Sequence, residues 1–400
     1  MVSPFLPDDE KLRAVRDALP AVSAAIYLDT ATAGPLPAET AAAMSEIADH
    51  ELRFGRVHPA DRDDADARRD EARAALAAIL SADVGSIALA RGAEEAMAIG
   101  VRGVAWNAGD ILLTIEGAGE AIEAAAGIAR SRGAAVRAVP ADVAPDRLSA
   151  AAADPRVRFV ALPHVDAIGR VLPIADLAAA VREARADLPI VVDGRLAVGA
   201  FRVAPDELAI DGYAIAGDAW LLGPDASGGL WLADPAGGRL RPERRGDDDA
   251  GDAVAFEAGP LPTRDAVGLA RSAGWLAMYV GLDWVLERPA ALAEGLRARL
   301  VGVPGIEVAT PLDGPVGPVI ALRVGGWRAA EVATELGRRI FAVIGTVPDP
   351  GPGAEPLLRL SLACFNDPSE LERVAATLEL IASHTPATLP SRPPLTILSG

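Results

Sequence analysis

Lysine is almost absent from this chain. Among 38 Lys and Arg residues only Lys11 is a lysine, and it stands ahead of the first core strand, which leaves almost no candidate for a Schiff-base nucleophile. Cysteine is as scarce: the single Cys364 excludes an intrachain disulfide, and no Cys or His cluster has zinc-site spacing. These two absences predict no bound metal and a reducing, cytoplasmic setting. A basic surplus is missing too, since the net charge is -18. Backbone-phosphate binding rests on clustered Lys and Arg, so nucleic-acid and anionic-membrane partners are not expected. No uncharged apolar run approaches the roughly 18 residues of a membrane helix, and the acidic N-terminus lacks a signal-peptide pattern. The six tryptophans are too scattered to form a stacking platform.

What the chain has in quantity is apolar material, 51% of 400 residues, enough for one large or two moderate cores. From Ser86 onward short β-rich runs alternate with Ala-rich helical stretches. Strands are predicted at Ile87 to Ala90, Ile111 to Ile115, Ala135 to Val139, Val157 to Leu162, Ile190 to Val192, Tyr213 to Ala216 and Leu230 to Ala233. Helices are expected near 93–104, 118–131, 145–153 and 174–186. Such alternation means βαβ units and an α/β fold built on a largely parallel sheet covered on both faces. Ligands bind at the carboxyl ends of such strands, so the turns at Arg91, Glu116, His164, Asp193 and Gly217 should ring one site.

The flanking regions divide the chain further. Residues 1–25 read as an N-terminal arm with a short helix, 26–263 as the large domain, 264–384 as a smaller α+β domain and 385–400 as a Pro-rich tail. A long helix from about Arg264 to Leu286 leads into the small domain, with a further helix near 289–301. Strands near Ile306, Val319 to Val324, Phe341 to Ile344 and Leu357 to Leu362 follow, with helices near 328–339 and 368–383. Arg239 to Asp252 reads as an exposed loop. The charge run Asp61, Asp63, Asp64, Arg68, Arg69, Asp70 and Glu71 reads as a solvated, salt-paired helix face.

Several stretches, in this order and spacing, carry a resemblance. They are Tyr27-Leu-Asp-Thr-Ala, Ala90-Arg-Gly-Ala-Glu-Glu-Ala-Met97, Leu162-Pro-His-Val-Asp166, Val191-Val-Asp-Gly-Arg-Leu-Ala-Val-Gly199, Asp211-Gly-Tyr-Ala-Ile-Ala-Gly-Asp-Ala-Trp-Leu-Leu-Gly-Pro-Asp225, Phe256-Glu-Ala-Gly259 and Leu358-Arg-Leu-Ser361. Together they resemble the class V aminotransferase family, the cysteine desulfurase and isopenicillin-epimerase-like branch of the fold-type I pyridoxal-phosphate (PLP) enzymes. The resemblance implies a seven-stranded, mostly parallel sheet with a smaller α+β domain, and a homodimer with sites at the subunit interface. It implies that Asp193 pairs with the pyridine nitrogen, that Arg359 forks onto a substrate carboxylate, and that a phosphate rests at a helix N-terminus.

The same resemblance exposes a set of departures. The lysine expected before the tryptophan is Ala219. The hydroxyl three residues earlier is Ala216, the His or Tyr beside the lysine is Asp218, and the threonine of the phosphate turn is Glu94. Glutamine after the aspartate becomes Leu196, the small residue under the ring becomes Arg195, and the stacking residue falls near Gly117 or Ala118. Two carboxylates beside a phosphate dianion would cost several kcal/mol, since one unit-charge pair at ~4 Å is worth about 4 kcal/mol at an effective dielectric near 20. Arg195 is expected to fill the cofactor space in an ion-pair network with Glu94, Asp193 and Asp218.

Other residues have a chemical and a structural reading side by side. His164 and Asp166 form a candidate acid–base pair at a strand end, or a structural histidine with its neighbour. Cys364 follows the Arg359 strand and reads as buried and inert. His50, His58 and His384 have no evident ligand partners. The leading expectation is a class V aminotransferase-like protein that has lost covalent PLP chemistry and holds no cofactor. It would be a small-molecule-binding or regulatory protein, or a cofactor-independent enzyme, acting on a carboxylate-bearing metabolite. One rival is an ordinary PLP-dependent aminotransferase, lyase or epimerase whose lysine has been exchanged for alanine. Another is a structural subunit that pairs with an active paralogue.

Overall fold

The computed structural model describes residues 3–142, 144–243, 251–315, 317–349 and 353–391. The middle of the expected Arg239 to Asp252 loop and the end of the Pro-rich tail lie outside these residues. Twelve strands are present among the described residues: β1 (Ile26–Leu28), β2 (Ile87–Ala90), β3 (Ile111–Ile115), β4 (Ala135–Val139), β5 (Val157–Pro163), β6 (Ile190–Asp193), β7 (Gly212–Ala216), β8 (Gly228–Leu232), β9 (Ile306–Val308), β10 (Val319–Val324), β11 (Ala342–Val347) and β12 (Leu357–Ser361).

Seven of them form a sheet in the order β2-β8-β7-β6-β5-β3-β4. Only β8 runs against its neighbours, so β2 and β7, which flank it, point the same way as the rest. The continuous apolar runs Ile111–Ile115 and Ile190–Val192 follow from this, because a parallel sheet covered on both faces buries both sides of each strand. The edge strand β4 is the exception, with its side chains half-buried or exposed. Helix Ala93–Arg102 lies close on the sheet, and a Cβ at Gly100 would stand 3.2 Å from Val191. Small residues set that distance.

The second sheet has the order β1-β11-β12-β10-β9. Its first strand is the surprise. Ile26–Leu28, which the sequence groups with the large domain, pairs in parallel with β11 and buries Ile26 and Leu28 in the small-domain core beside Leu296, Ile320 and Leu360. The first strand of the chain therefore lies in the small sheet, and the chain returns to the large core only after residue 29. Three residues are too short for periodicity to reveal a partner.

The long connection also differs in detail. Helix Thr263–Gly274 continues through a π-helical turn, Trp275–Gly281, into Leu282–Leu300. The break falls at Gly281, whose φ of +99° is open to glycine, and not at Pro289, which sits inside the final helix. The first part of this connection packs in the large core through Ala266 and Leu269, and the last part in the small core through Ala293 and Leu296. Of its aromatic residues Trp275 is buried and Tyr279 exposed, while Trp284 carries Lys11 and Arg288 over its ring.

The N-terminal helix Asp8–Asp17 is a third tie between the two parts. Its Val15 enters the large core, while the Arg16 guanidinium forks onto Glu370 of helix Pro368–Ala382 at 2.6 and 3.0 Å. The same guanidinium donates to the carbonyls of Phe365 and Val22. An Arg16→Met exchange leaves the Glu370 carboxylate and two carbonyls short of donors, and should lower the unfolding free energy by about 2 kcal/mol in urea titrations.

Candidate functional site

The carboxyl ends of β2, β6 and β7 bring three carboxylates together. Glu94 stands in the first turn of helix Ala93–Arg102, entered through Gly92 at φ +90°. Asp193 is the last residue of β6. Asp218 lies in the turn after β7, which is closed by hydrogen bonds from Gly217 N to the Ser227 carbonyl and from Gly223 N to the Gly217 carbonyl, both 2.7 Å. Arg195 reaches into the middle: its Nη1 lies 3.2 Å from Asp218 Oδ1 and 3.6 Å from Glu94 Oε1, and its Nη2 donates to the Thr32 carbonyl at 2.8 Å. Of the partners expected for the Arg195 side chain, Asp218 and Glu94 are paired with it, while Asp193 is joined only through the Arg195 backbone N–H.

One cation serves several anions here. Arg195 and Asp218 are mostly buried, with side chains 18% and 15% exposed. Asp193 is buried further and accepts only the Arg195 backbone N–H, at 2.9 Å on Oδ1. Burial pushes its carboxyl up to about 6, helped by the charge of Glu94 and opposed by that backbone bond and the Arg195 charge. Asp218 is raised for the same first reason, with Arg195 opposing and Glu94 and Asp225 adding. Gly119 faces Asp193, and a Cβ there would come within 4.0 Å of Oδ2. The positions expected to stack a ring hold no ring: Gly117 has φ +70° and Ala118 is a buried methyl.

Ala219 and Ala216 are fully buried. The Ala219 carbonyl leaves no room for a side chain at Gly34, since a Cβ there would fall 2.3 Å from that oxygen. Gly34 N in turn donates to the Asp218 carbonyl at 2.7 Å. The loop after β1 thus closes over the turn that carries residue 219. Trp220 anchors the far side, its Nε1 donating to the Leu362 carbonyl at 2.7 Å. Leu196 packs against the large core.

Arg359 approaches from the small sheet. Its Nη2 donates to Thr32 Oγ1 at 2.6 Å and to Asp29 Oδ1 at 3.2 Å, and its buried Nε has no partner among the described residues. Thr32 therefore touches both arginines, through its hydroxyl and its carbonyl. Sequence reasoning quoted the Asp29 and Thr30 stretch for its likeness but gave Asp29 and Thr32 no role. Their spacing of three after a short strand, with Thr32 Oγ1 donating to Asp29 Oδ1 at 2.9 Å, was the available signal.

Of the two readings of His164, the structural one agrees with its surroundings, and the acid–base pair with Asp166 is not formed. His164 Nδ1 meets the Tyr213 hydroxyl at 2.7 Å, and its ring lies edge-on to Phe201 and Tyr213. Burial lowers its pKa to about 4, which makes it a neutral core residue at pH 7. Asp166 instead closes its own turn, accepting from the backbone N–H groups of Ile168 and Arg170 at 3.1 and 2.8 Å. Asp166 lies past the end of β5, in the turn that its own carboxylate closes, so the spacing of two does not bring it to the imidazole. Tyr213 is read from the sequence only as the start of a strand; in the structure its ring packs on Gly194, where a Cβ would stand 2.0 Å from it.

The remaining candidates lie elsewhere. Cys364 is buried and its thiol is pushed up to about 12 by burial. Lys11 donates to the Pro4 carbonyl at 2.8 Å, away from the Arg195 cluster. His50 does have a partner, Asp61 at 3.2 Å, on the exposed pair of helices Ala38–Phe54 and Pro59–Leu80. Among the described residues no group of three or more His, Cys, Asp or Glu side chains is placed to hold a metal ion, and no helix is long and apolar enough to cross a membrane.

Comparison with known proteins accords with this architecture. The family profile described as Aminotransferase class-V matches residues 26–374. The chain belongs to the class V aminotransferase family. Within that family it is 32% identical over 278 residues to the isopenicillin N epimerase of Amycolatopsis lactamdurans, covering 63% of this chain and 69% of that protein. It is 26% identical over 315 residues to a probable cysteine desulfurase of Methanothermobacter thermautotrophicus, covering 73% and 76%. A lysine-to-alanine mutant of C-DES, with glycine covalently linked to its PLP cofactor, superposes with a TM-score of 0.80 at 21% identity, over 91% of this chain and 98% of that one. The apo cysteine desulfurase of Thermococcus onnurineus NA1 gives 0.78 at 19% identity, over 96% and 100%. These likenesses show the fold-type I fold; the family and its solved neighbours bind PLP.

Two buried groups, Asp193 in the site and His164 in the core, act on stability in opposite senses. Asp193 titrates near 6 when folded, above its ordinary 3.8, so its protonated form favours the fold; that contribution is present at low pH and lost as pH rises through 6. His164, lowered from 6.5 to about 4, favours the fold when neutral, and that contribution is lost as pH falls through 4. Between pH 4 and 6 the two offset each other. An Asp193→Asn variant removes one of them, and relative to the parent it should lose about 1.4 kcal/mol of unfolding free energy per pH unit on acidification through that window. Urea titrations at pH 6, 5 and 4 measure this.

Proposed function

We propose that this family member forms no internal aldimine at position 219 and holds a small carboxylate-bearing metabolite without covalent attachment, gripped by Arg359. The observation that carries the first half is Ala219: a buried methyl with no amine, its carbonyl packed against Gly34. The only lysine in the chain, Lys11, is engaged by Pro4 and lies outside the cluster. Without an amine at that position there is neither a Schiff-base partner nor the usual base for a Cα proton.

The residues present do not fit the family cofactor. Where a phosphate would rest, the first helical turn carries Glu94 and Glu95, and Glu95 already accepts the Arg91 backbone N–H at 2.6 Å. Asp218 faces the same place, and Ala216 supplies no hydroxyl. Asp193 keeps the position of a pyridine partner, but the Arg195 side chain crosses the space in front of the turn. No step is therefore routed through PLP. The conservative residue at the other end is Arg359. It is a fixed cation on β12, braced by Asp29 and Thr32, with a buried Nε that lacks an acceptor among the described residues, and a carboxylate supplies that acceptor in the planar, forked manner guanidinium favours.

The reading that the lysine was merely exchanged in a competent PLP enzyme accounts for Ala219 alone. It leaves Glu94, Asp218 and Arg195 without explanation, while the ion-pair network accounts for all three. In solution, the parent protein mixed with PLP should show no visible aldimine absorbance. A panel of small carboxylates followed by calorimetry should include at least one that binds, and Arg359→Met should weaken it at least tenfold, about 1.4 kcal/mol. Aldimine absorbance from the parent, or unchanged affinity in the Arg359→Met variant, would refute the reading.

A further inference from the structure

We infer that the barrier to phosphate in this cleft is a reversal of charge and not the missing lysine, and that the Arg195 guanidinium is the pocket's built-in occupant, the counter-ion that Glu94, Asp218 and Asp193 require. The inference rests on the reading of Ala219 given above, but it makes a separate claim. A lysine restored at 219 should not restore the cofactor site.

Four observations support it. The N-terminus of helix Ala93–Arg102 offers N–H groups and a partial positive charge, which ordinarily attract an anion. Here the helix meets that demand with its own first-turn acids. Asp218, on the turn after β7, adds a second carboxylate within reach of the same Arg195 Nη1 that faces Glu94. Burial first, and then the charge of Glu94, makes Asp193 and Asp218 harder to ionise, with Asp225 adding to the effect on Asp218. Finally, Arg195 is aimed inward and also secured to the Thr32 carbonyl, so the cation is fixed from both sides. A metal does not take its place, as no described cluster is arranged for one. A phosphate entering this space would have to displace the one cation and face carboxylates from two strand ends.

The test separates charge from lysine with four variants: Ala219→Lys alone, Glu94→Thr with Asp218→His, all three changes together, and Arg195→Met. Visible aldimine absorbance reports PLP, inorganic phosphate is the probe for the cradle by thermal unfolding, and circular dichroism verifies that each variant is folded. Ala219→Lys alone should form no aldimine. The Glu94→Thr, Asp218→His pair should gain a phosphate-dependent rise in melting temperature that the parent lacks, and the triple variant should bind PLP at least tenfold more tightly than Ala219→Lys. Arg195→Met should melt at a lower temperature, and millimolar methylguanidinium, but not sodium, should restore part of the loss. An aldimine in Ala219→Lys as tight as in the triple variant overturns the inference, whatever happens to carboxylate binding at Arg359. So does a folded Glu94→Thr, Asp218→His protein that ignores phosphate, or a folded Arg195→Met protein that ignores methylguanidinium.

Discussion

A carboxylate can be buried only beside something that compensates its lost hydration, and the cleft of this protein is organised by that rule. Asp193, Asp218 and Glu94 reach the carboxyl ends of three strands because the parallel sheet sends its loops there, and one arginine must serve them all. The shortage is visible in the protonation behaviour. Asp193 and Asp218 are both harder to ionise than free carboxyls, since burial and repulsion by Glu94 outweigh what Arg195 supplies. The pocket is thus close to electrostatic saturation, and it has no spare positive charge for an anionic ligand on the β2, β6 and β7 side.

The positive side of the cleft belongs to the other sheet. Arg359 shares Thr32 with Arg195, so a single residue of the loop after β1 touches a cation from each sheet. That loop begins in the small sheet, with Ile26–Leu28, and ends packed on the large-sheet turn through Gly34. It couples the two parts without belonging wholly to either. Rotation of one part against the other has to break or carry these contacts together. The Arg16–Glu370 fork and the Trp220–Leu362 hydrogen bond add two more links across the same boundary.

Much of the architecture was legible in the sequence because burial on both faces imposes long apolar runs on a parallel sheet. Ile87–Ala90, Ile111–Ile115, Ala135–Val139 and Val319–Val324 fall where the pattern put them, and the others shift by up to three residues at their ends. What the pattern missed was short or long-range. Strand Ile26–Leu28 has no periodicity that could name its partner, and the helix break at Gly281 depends on a backbone angle that only the folded chain displays. In the site, the departures at Glu94, Arg195, Asp218 and Ala219 were readable by likeness, and their convergence followed from strand-end geometry. The His164–Tyr213 contact was not, because it joins the end of β5 to β7 across the intervening β6, an arrangement the sequence does not state.

The order of causes at position 219 follows from the same electrostatics. A lysine there would add a cation to a place rich in carboxylates, and on charge alone it would be welcome. Its absence therefore cannot be explained by repulsion. The cation requirement is instead already met by Arg195, which enters after β6 and pairs with Asp218 beside the fully buried Ala219. Once Arg195 supplies the charge, a lysine brings only the desolvation cost of a second buried ammonium. Alanine at 219 and arginine at 195 are two parts of one solution, in which the positive charge is kept and its covalent chemistry is not.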